Sequence, residues 1–190
     1  MGWTQEFRAE LMGVVTHYGE SFPGEAETIR PVQEFLRETE NVDLLFARKN
    51  FVGHITGSGF VLSRAGRVLL IHHCALDRFL QPGGHVDRDE TPLEAARREV
   101  AEETGLHGLE LLSCSDFLTP WDVDSHEIPA KPKRGEPAHV HHDFRYLFRY
   151  SGEEDAVRAN ESEVRAYRWA DLREMAQMPE FVRVVGKLSS

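Results

Sequence analysis

Cysteine is scarce. The chain has two in 190 residues, Cys74 and Cys114, with no Cys-x-x-Cys pair. That argues against a disulfide framework and fits free thiols in a reducing, cytoplasmic setting. Long apolar runs are missing, and none approaches the roughly 20 residues of a membrane span. The opening MGWTQEFRAELMGVV carries Glu6 and Glu10 and lacks a basic segment ahead of an apolar one, so it does not read as a signal peptide. Met1-Gly2 would open a myristoylation site, but Glu6 stands where Ser or Thr is wanted. Positive charge is in deficit, 22 Lys and Arg against 32 Asp and Glu, for a net −10. This excludes a broad phosphate-gripping face for a nucleic-acid polymer. It leaves a small anionic ligand open, because bound cations can reverse a local field. Repeats, low-complexity tracts and a clear linker are also lacking.

What is present is ordinary globular material, 41% hydrophobic and 28% charged, enough for one domain with a small appendage. The expected division is residues 1–50 as an N-terminal helical appendage and 51–190 as the main domain. In the first part, Phe7, Leu11, Val14 and Val15 share a helical face, with Tyr18 after them. AETIRPVQEFLRE gives a second helix with Val32, Phe35 and Leu36 inward. Pro31 belongs in a first helical turn, which predicts a late start for that helix. The apolar stripe either packs on the main domain or forms a homodimer contact.

From His54 onward the pattern is of strands. HITGSGFVLS and RVLLIHH, separated by RAG, read as a hairpin. RFLQPGGHV, LELLSCSDFL, HVHHDFRYLFRY and EVRAYRWA are further strands, and DLREMAQM is a helix. In HVHHDFRYLFRY the alternation puts Val140, His142, Phe144 and Tyr146 on one side and His141, Asp143, Arg145 and Leu147 on the other. Between strands runs WDVDSHEIPAKPKRGEPA, read as a long polar loop with three prolines, functional or mobile. Strands mixed with helices in this order predict an α/β sandwich.

QPGGHVDRDETPLEAARREVAEETGL, residues 81–106, holds seven acidic residues. Thr91 can cap a helix, Pro92 suits its first position, Glu94 completes a capping box, and Gly105 ends it. The helix is about 13 residues, roughly 20 Å long. Leu93, Ala96 and Val100 form its buried stripe. Glu99, Glu102 and Glu103 fall at i, i+3 and i+4 and make one carboxylate patch, with Arg98 in reach of Glu94 and Glu102. Clustered carboxylates suit a hard cation, Mg²⁺ or Mn²⁺, which keeps positions for water and substrate phosphate. Gly83-Gly84, just ahead, let backbone pass close to a metal or phosphate and offer a carbonyl. Together they propose a divalent-metal site that grips a polyphosphate.

Gly84, five residues, Glu90, seven residues, then Arg98-Glu99-Val100-Ala101-Glu102-Glu103-Thr104-Gly105-Leu106 resembles the Nudix box at every fixed position. The chain is thereby identified as a member of the Nudix hydrolase family, of MutT-like type. The resemblance implies an α/β/α sandwich with a mixed sheet. It implies hydrolysis of a pyrophosphate linkage in a nucleotide or nucleoside-diphosphate derivative. It also implies Mg²⁺, with Mn²⁺ an alternative, on Glu99, Glu102 and Glu103, with the Gly83 carbonyl a further ligand, and Arg98 orienting a neighbouring glutamate. The general base would be a box glutamate or one from a later loop, where Glu161 and Glu163 stand. Two alternatives share the fold: a nucleotide-binding regulator without hydrolysis, which would usually lose box carboxylates, and an isopentenyl-diphosphate-isomerase-like enzyme.

Ten histidines is a high count. His85 follows Gly84, and both are placed against substrate. His139 and His141 share a strand face; they contact substrate, or with His126 bind a transition metal. The polar loop offers Trp121 for base stacking and Lys131, Lys133 and Arg134 for phosphates. The expected partner is a small nucleotide, with neither nucleic-acid polymer nor membrane.

Overall fold

The computed structural model describes residues 3–74, 76–112 and 119–189. In chain order it has α1 (Gln5–Ser21), α2 (Ala26–Glu38), β1 (Gly53–Leu62), β2 (Val68–His73), β3 (Arg78–Leu80) and β4 (Gly83–His85). These are followed by α3 (Pro92–Thr104), β5 (Glu110–Leu111), β6 (Asp122–Ile128), β7 (His139–Arg149), β8 (Val164–Ala170), α4 (Leu172–Met175) and α5 (Val182–Leu188). The architecture is the anticipated α/β one, a mixed sheet with flanking helices. β3, β2, β1, β7 and β5 are successive neighbours; β4 joins β1, β6 joins β7 and β8 joins β2. No described helix is long and apolar enough to cross a membrane.

The chain forms two compact units. One contains Met1–Ser58, Gly83–Ala96 and Ser113–Tyr146; the other contains Gly59–Pro82, Arg97–Leu112 and Leu147–Ser190. The N-terminal helices belong to the first. Their stripes are buried there, Leu11, Val14, Val15 and Tyr18 on α1 and Ile29, Val32, Phe35 and Leu36 on α2. The Phe35 ring stacks on His142 of β7 at 4.6 Å. α2 starts at Ala26, ahead of Pro31, so the late start expected from proline does not occur. Proline removes the hydrogen bond that would end on the Glu27 carbonyl. Glu27 lies in the exposed first turn, where water can serve that carbonyl.

In the same unit, β4 pairs antiparallel with β1, Thr56 opposite His85 and Ser58 opposite Gly83. RFLQPGGHV is therefore two short strands rather than one, broken at Gln81-Pro82, because proline has no N–H to continue a ladder. A Cβ on Gly57 would sit 2.2 Å from the Pro92 carbonyl oxygen. Only glycine lets the first turn of α3 lie this close to β1.

The larger departure from expectation is β6. Residues 122–128 of the supposed long loop are a strand, paired antiparallel with β7 from Asp122↔Arg145 to Ile128↔His139. The loop reading failed because DVDSHEI is polar. Asp122, Asp124, Ser125 and His126 face polar partners across the ladder, so alternation of apolar and polar residues was absent as a signal. What remains of the loop is a hairpin end, with a 3-10 turn at Pro132–Arg134 and Lys131 bridging Glu136.

In the second unit β2 is the central strand, flanked by β8 and β3 in antiparallel pairing. Val61, Leu69, Val100, Leu106 and Val157 form its core, with Leu109, Tyr150, Ala156 and Trp169 packed on it. Of the expected strand at 109–118, only Glu110–Leu111 pairs, against Arg149 and Phe148, and residues 113–118 lie outside the described ones. The helix expected at 171–178 is one turn, Leu172–Met175, and α5 follows it unanticipated.

Candidate active site

α3 begins as its sequence requires. The Thr91 N–H donates to Glu94 Oε2 at 2.7 Å, and the Glu94 N–H donates to Thr91 Oγ1 at 3.2 Å. This capping box aligns the helix from Pro92. At the other end Gly105 takes φ +70°, a conformation that costs other residues energy, and its N–H reaches the Ala101 carbonyl. Leu93, Ala96 and Val100 are buried as expected. Fixing that stripe fixes the opposite carboxylate face.

On that face Arg98 acts as a clamp. Its guanidinium donates to Glu99 at 2.8 Å and to Glu102 at 3.1 Å. Glu94, the other partner in reach by spacing, is occupied in the cap. The Glu99 side chain is 12% exposed and Glu102 54%; Glu103 is buried. Burial raises the Glu99 pKa, and Glu102 and Glu163 push the same way against the opposing effect of Arg98. The later loop is anchored to the helix end, the Arg158 N–H donating to the Thr104 carbonyl and the Asn160 N–H to the Glu103 carbonyl. Both Glu161 and Glu163 are exposed. Only Glu163 raises the Glu99 pKa; Glu161 is not among the causes of that shift.

This arrangement fits a divalent cation. Arg98 can offset one carboxylate charge where Glu99 and Glu102 bring two, and a cation would counter both the burial and the like charges that raise Glu99. The side chains that would hold it offer oxygen atoms from one helix, the donor set of a hard ion.

The histidines gather in the first compact unit. His54 opens β1, His85 ends β4, and His139 and His141 lie on β7. Ring centroids are 5.0 Å apart for His54 and His85, 5.1 Å for His54 and His139, and 4.5 Å for His54 and His141. Burial is the main cause that lowers the pKa of His54 to about 4, His85 to about 3, His141 to about 2 and His142 to about 4. At neutral pH these rings are uncharged, so a phosphate grip by an imidazolium at His85 or His141 does not hold.

Beside them lies a charged network that sequence reasoning missed. Arg145, 7% exposed, donates to Asp122 at 3.2 Å, Asp124 at 2.8 Å and Asp143 at 3.1 Å. Burial opposes its charge, but the three carboxylates outweigh this and raise its pKa above the ordinary value. Asp143 also accepts from Thr56 at 3.0 Å and Ser58 at 2.7 Å, and Asp124 pairs with His126 at 3.0 Å. The alternation of β7 already set His141, Asp143 and Arg145 on one face. Had DVDSHEI been read as a strand, Asp122, Asp124 and His126 would have fallen opposite them.

The remaining candidates are dispersed. Gly83 and Gly84 sit in β4 against β1. Trp121 is half-buried and lines a cavity of about 210 Å³ with Tyr18, Phe22 and Pro120. Lys131 and Lys133 belong to the β6–β7 hairpin end, as does the backbone of Arg134. His54, absent from the expected site, could have been suspected from its place at the start of a strand among other histidines.

Comparison with known proteins agrees with the box. A family model, the NUDIX domain, matches residues 54–187. An RNA pyrophosphohydrolase of Rhizobium meliloti is 32% identical over 133 residues, covering 60% of this chain and 77% of that protein. A probable DHNTP pyrophosphohydrolase of Lactococcus lactis is 34% identical over 88 residues, covering 46% of this chain and 49% of its own. Among solved structures, a NUDIX-family hydrolase from Clostridium perfringens aligns with TM-score 0.56 at 23% identity, over 72% of this chain and 96% of that one, a likeness of fold. The chain belongs to the NUDIX domain family.

Proposed function

We propose that the protein hydrolyses a pyrophosphate linkage in a small nucleotide or nucleoside-diphosphate derivative, using Mg²⁺ or Mn²⁺ on Glu99, Glu102 and Glu103. The supporting observation is the Arg98 clamp on Glu99 and Glu102 within a complete box helix. A bound divalent ion supplies charge neutralisation of the pyrophosphate and a more acidic water. The chain's own part is positional. Arg98 holds two carboxylates in fixed rotamers, the capping box holds the helix, and burial of Val100 keeps the carboxylate face turned outward. Glu163, whose charge is felt at Glu99, is the preferred proton acceptor over Glu161. Gly83, Gly84 and the hairpin cations Lys131, Lys133 and Arg134 are proposed for phosphate, and Trp121 for the base. The setting proposed is cytoplasmic, with any homodimer secondary to this chemistry.

A small substrate is favoured by the net charge of −10. The names of the relatives support a second reading, a 5′-triphosphorylated RNA. A panel with Mg²⁺ decides: nucleoside-diphosphate derivatives, nucleoside triphosphates, dihydroneopterin triphosphate and a triphosphorylated RNA oligonucleotide. Phosphate, pyrophosphate or monophosphate release is followed for each. Turnover of the small compounds ahead of RNA is expected. Full turnover in excess chelator, or none on any compound, would overturn the proposal.

A further inference from the structure

We propose that His54, His139 and His141 form a second metal site, of the Zn²⁺ class, separate in chemistry from the carboxylate patch. One ring nitrogen from each lies within 4.8 Å of the others. Tetrahedral zinc with bonds of about 2.0–2.1 Å places its nitrogens about 3.4 Å apart, which takes an inward shift of at most about 0.8 Å per nitrogen.

Three observations point to a ligand rather than a ring stack. First, the Nε2 atoms of His54 and His141 are buried and have no hydrogen-bond partner among the described residues. His54 is fully buried. A polar atom removed from water and left unsatisfied is expensive, and a metal bond removes that cost. Second, the other nitrogen is held where a ligand needs it. His139 Nδ1 lies 2.9 Å from the Pro137 carbonyl, and His54 Nδ1 lies 3.4 Å from the Asn50 carbonyl. With Nδ1–H donating to backbone, each Nε2 keeps its lone pair for a metal, the usual support for a metal-binding histidine. Third, His139 and His141 are two apart on β7, so the pleat itself puts them on one face, towards His54 of β1.

The donor set selects the ion. Three imidazoles suit zinc and its borderline neighbours, whereas Mg²⁺ takes oxygen. Three histidines leave a fourth position, which water fills. His85, its ring 5.4 Å from that of His141, stands beside the trio. The ion would tie the start of β1 to the start of β7.

The test uses the full chain without a histidine tag, equilibrated with Zn²⁺, desalted in Mg²⁺ and analysed for metal content. About one zinc per chain is expected. His139→Asn, at a half-buried position that tolerates an amide, and His141→Asn should both drop zinc to background while circular dichroism shows the fold intact. Glu102→Gln should keep it. Zinc added to metal-free protein should raise the melting temperature of wild type and leave His139→Asn unmoved. Cobalt in place of zinc should give the intense visible absorption of a tetrahedral centre. Zinc at background in folded wild type, zinc retained by both histidine variants, or zinc lost on Glu102→Gln would each overturn the proposal.

Discussion

The carboxylate face of α3 and the histidine cluster of the first unit both bring like groups together, and they solve the crowding in opposite ways. Glu99 and Glu102 stay partly in solvent, Glu102 at 54% exposure, and Arg98 holds both. The histidines go inside and give up their charge, with burial lowering His54 to about 4 and His141 to about 2. One region stores charge for a ligand. The other stores lone pairs. Helical spacing alone makes the first, whereas the second needs β1, β4 and β7 to meet.

That contrast predicts different failures. The largest effect should come from acid on metal-free protein. His54, His85, His141 and His142 start from 6.5, and in the fold they stand at about 4, 3, 2 and 4. As pH falls the unfolded chain therefore takes up protons first. The stability held in their neutral forms is whole above pH 6.5 and drains away as pH falls, levelling off near 4 for His54 and His142 and only near 3 and 2 for His85 and His141, where each folded ring itself protonates. Urea midpoints should fall steeply across that window. A flat profile would mean that the rings are not buried as described.

Next comes Arg145→Met. Removing the cation leaves Asp122, Asp124 and Asp143 facing one another in the first unit. A loss of about 3–5 kcal/mol is expected, as for other broken buried pairs. A denaturation curve within 1 kcal/mol of wild type would remove the network from the account.

Glu102→Gln tests the other region. Turnover should fall by about 10²-fold or more while the melting temperature barely moves, since the side chain is half in solvent. A fall in stability without one in turnover would make the patch structural. Smallest is Arg98→Lys, which keeps the charge and loses the planar guanidinium whose Nη1 donates to both carboxylates. Turnover should drop about 10-fold with KM little changed; a rise in KM alone would place Arg98 on the substrate instead.

The difference between the regions is also a difference in legibility. Most of α3 was readable: Thr91 and Glu94 at the cap, Gly105 at the end, Leu93 and Val100 inward, and Arg98 in reach of Glu102, though not that the cap would take Glu94 from Arg98 or that Glu103 would be buried. Each of those is a separation of four residues or fewer, or a single backbone preference. The hairpin of β1 and β2 was equally plain, because its residues are apolar. β6 was not. Its polar residues pair with mostly polar partners on β7, and nothing local to DVDSHEI reveals that Arg145 will donate to three aspartates. Pro31 shows the reverse error, a local preference overridden because the stripe of α2 gains more by packing than one missing hydrogen bond costs.

By itself, then, the sequence determined the acidic helix, its box and its family, because short-range spacing on a helix is set by bond geometry. The tertiary structure decided which histidines meet. His54 stands 85 and 87 positions from His139 and His141 along the chain, and only the pairing of strands, driven by burial elsewhere in the sheet, puts their nitrogens within 4.8 Å.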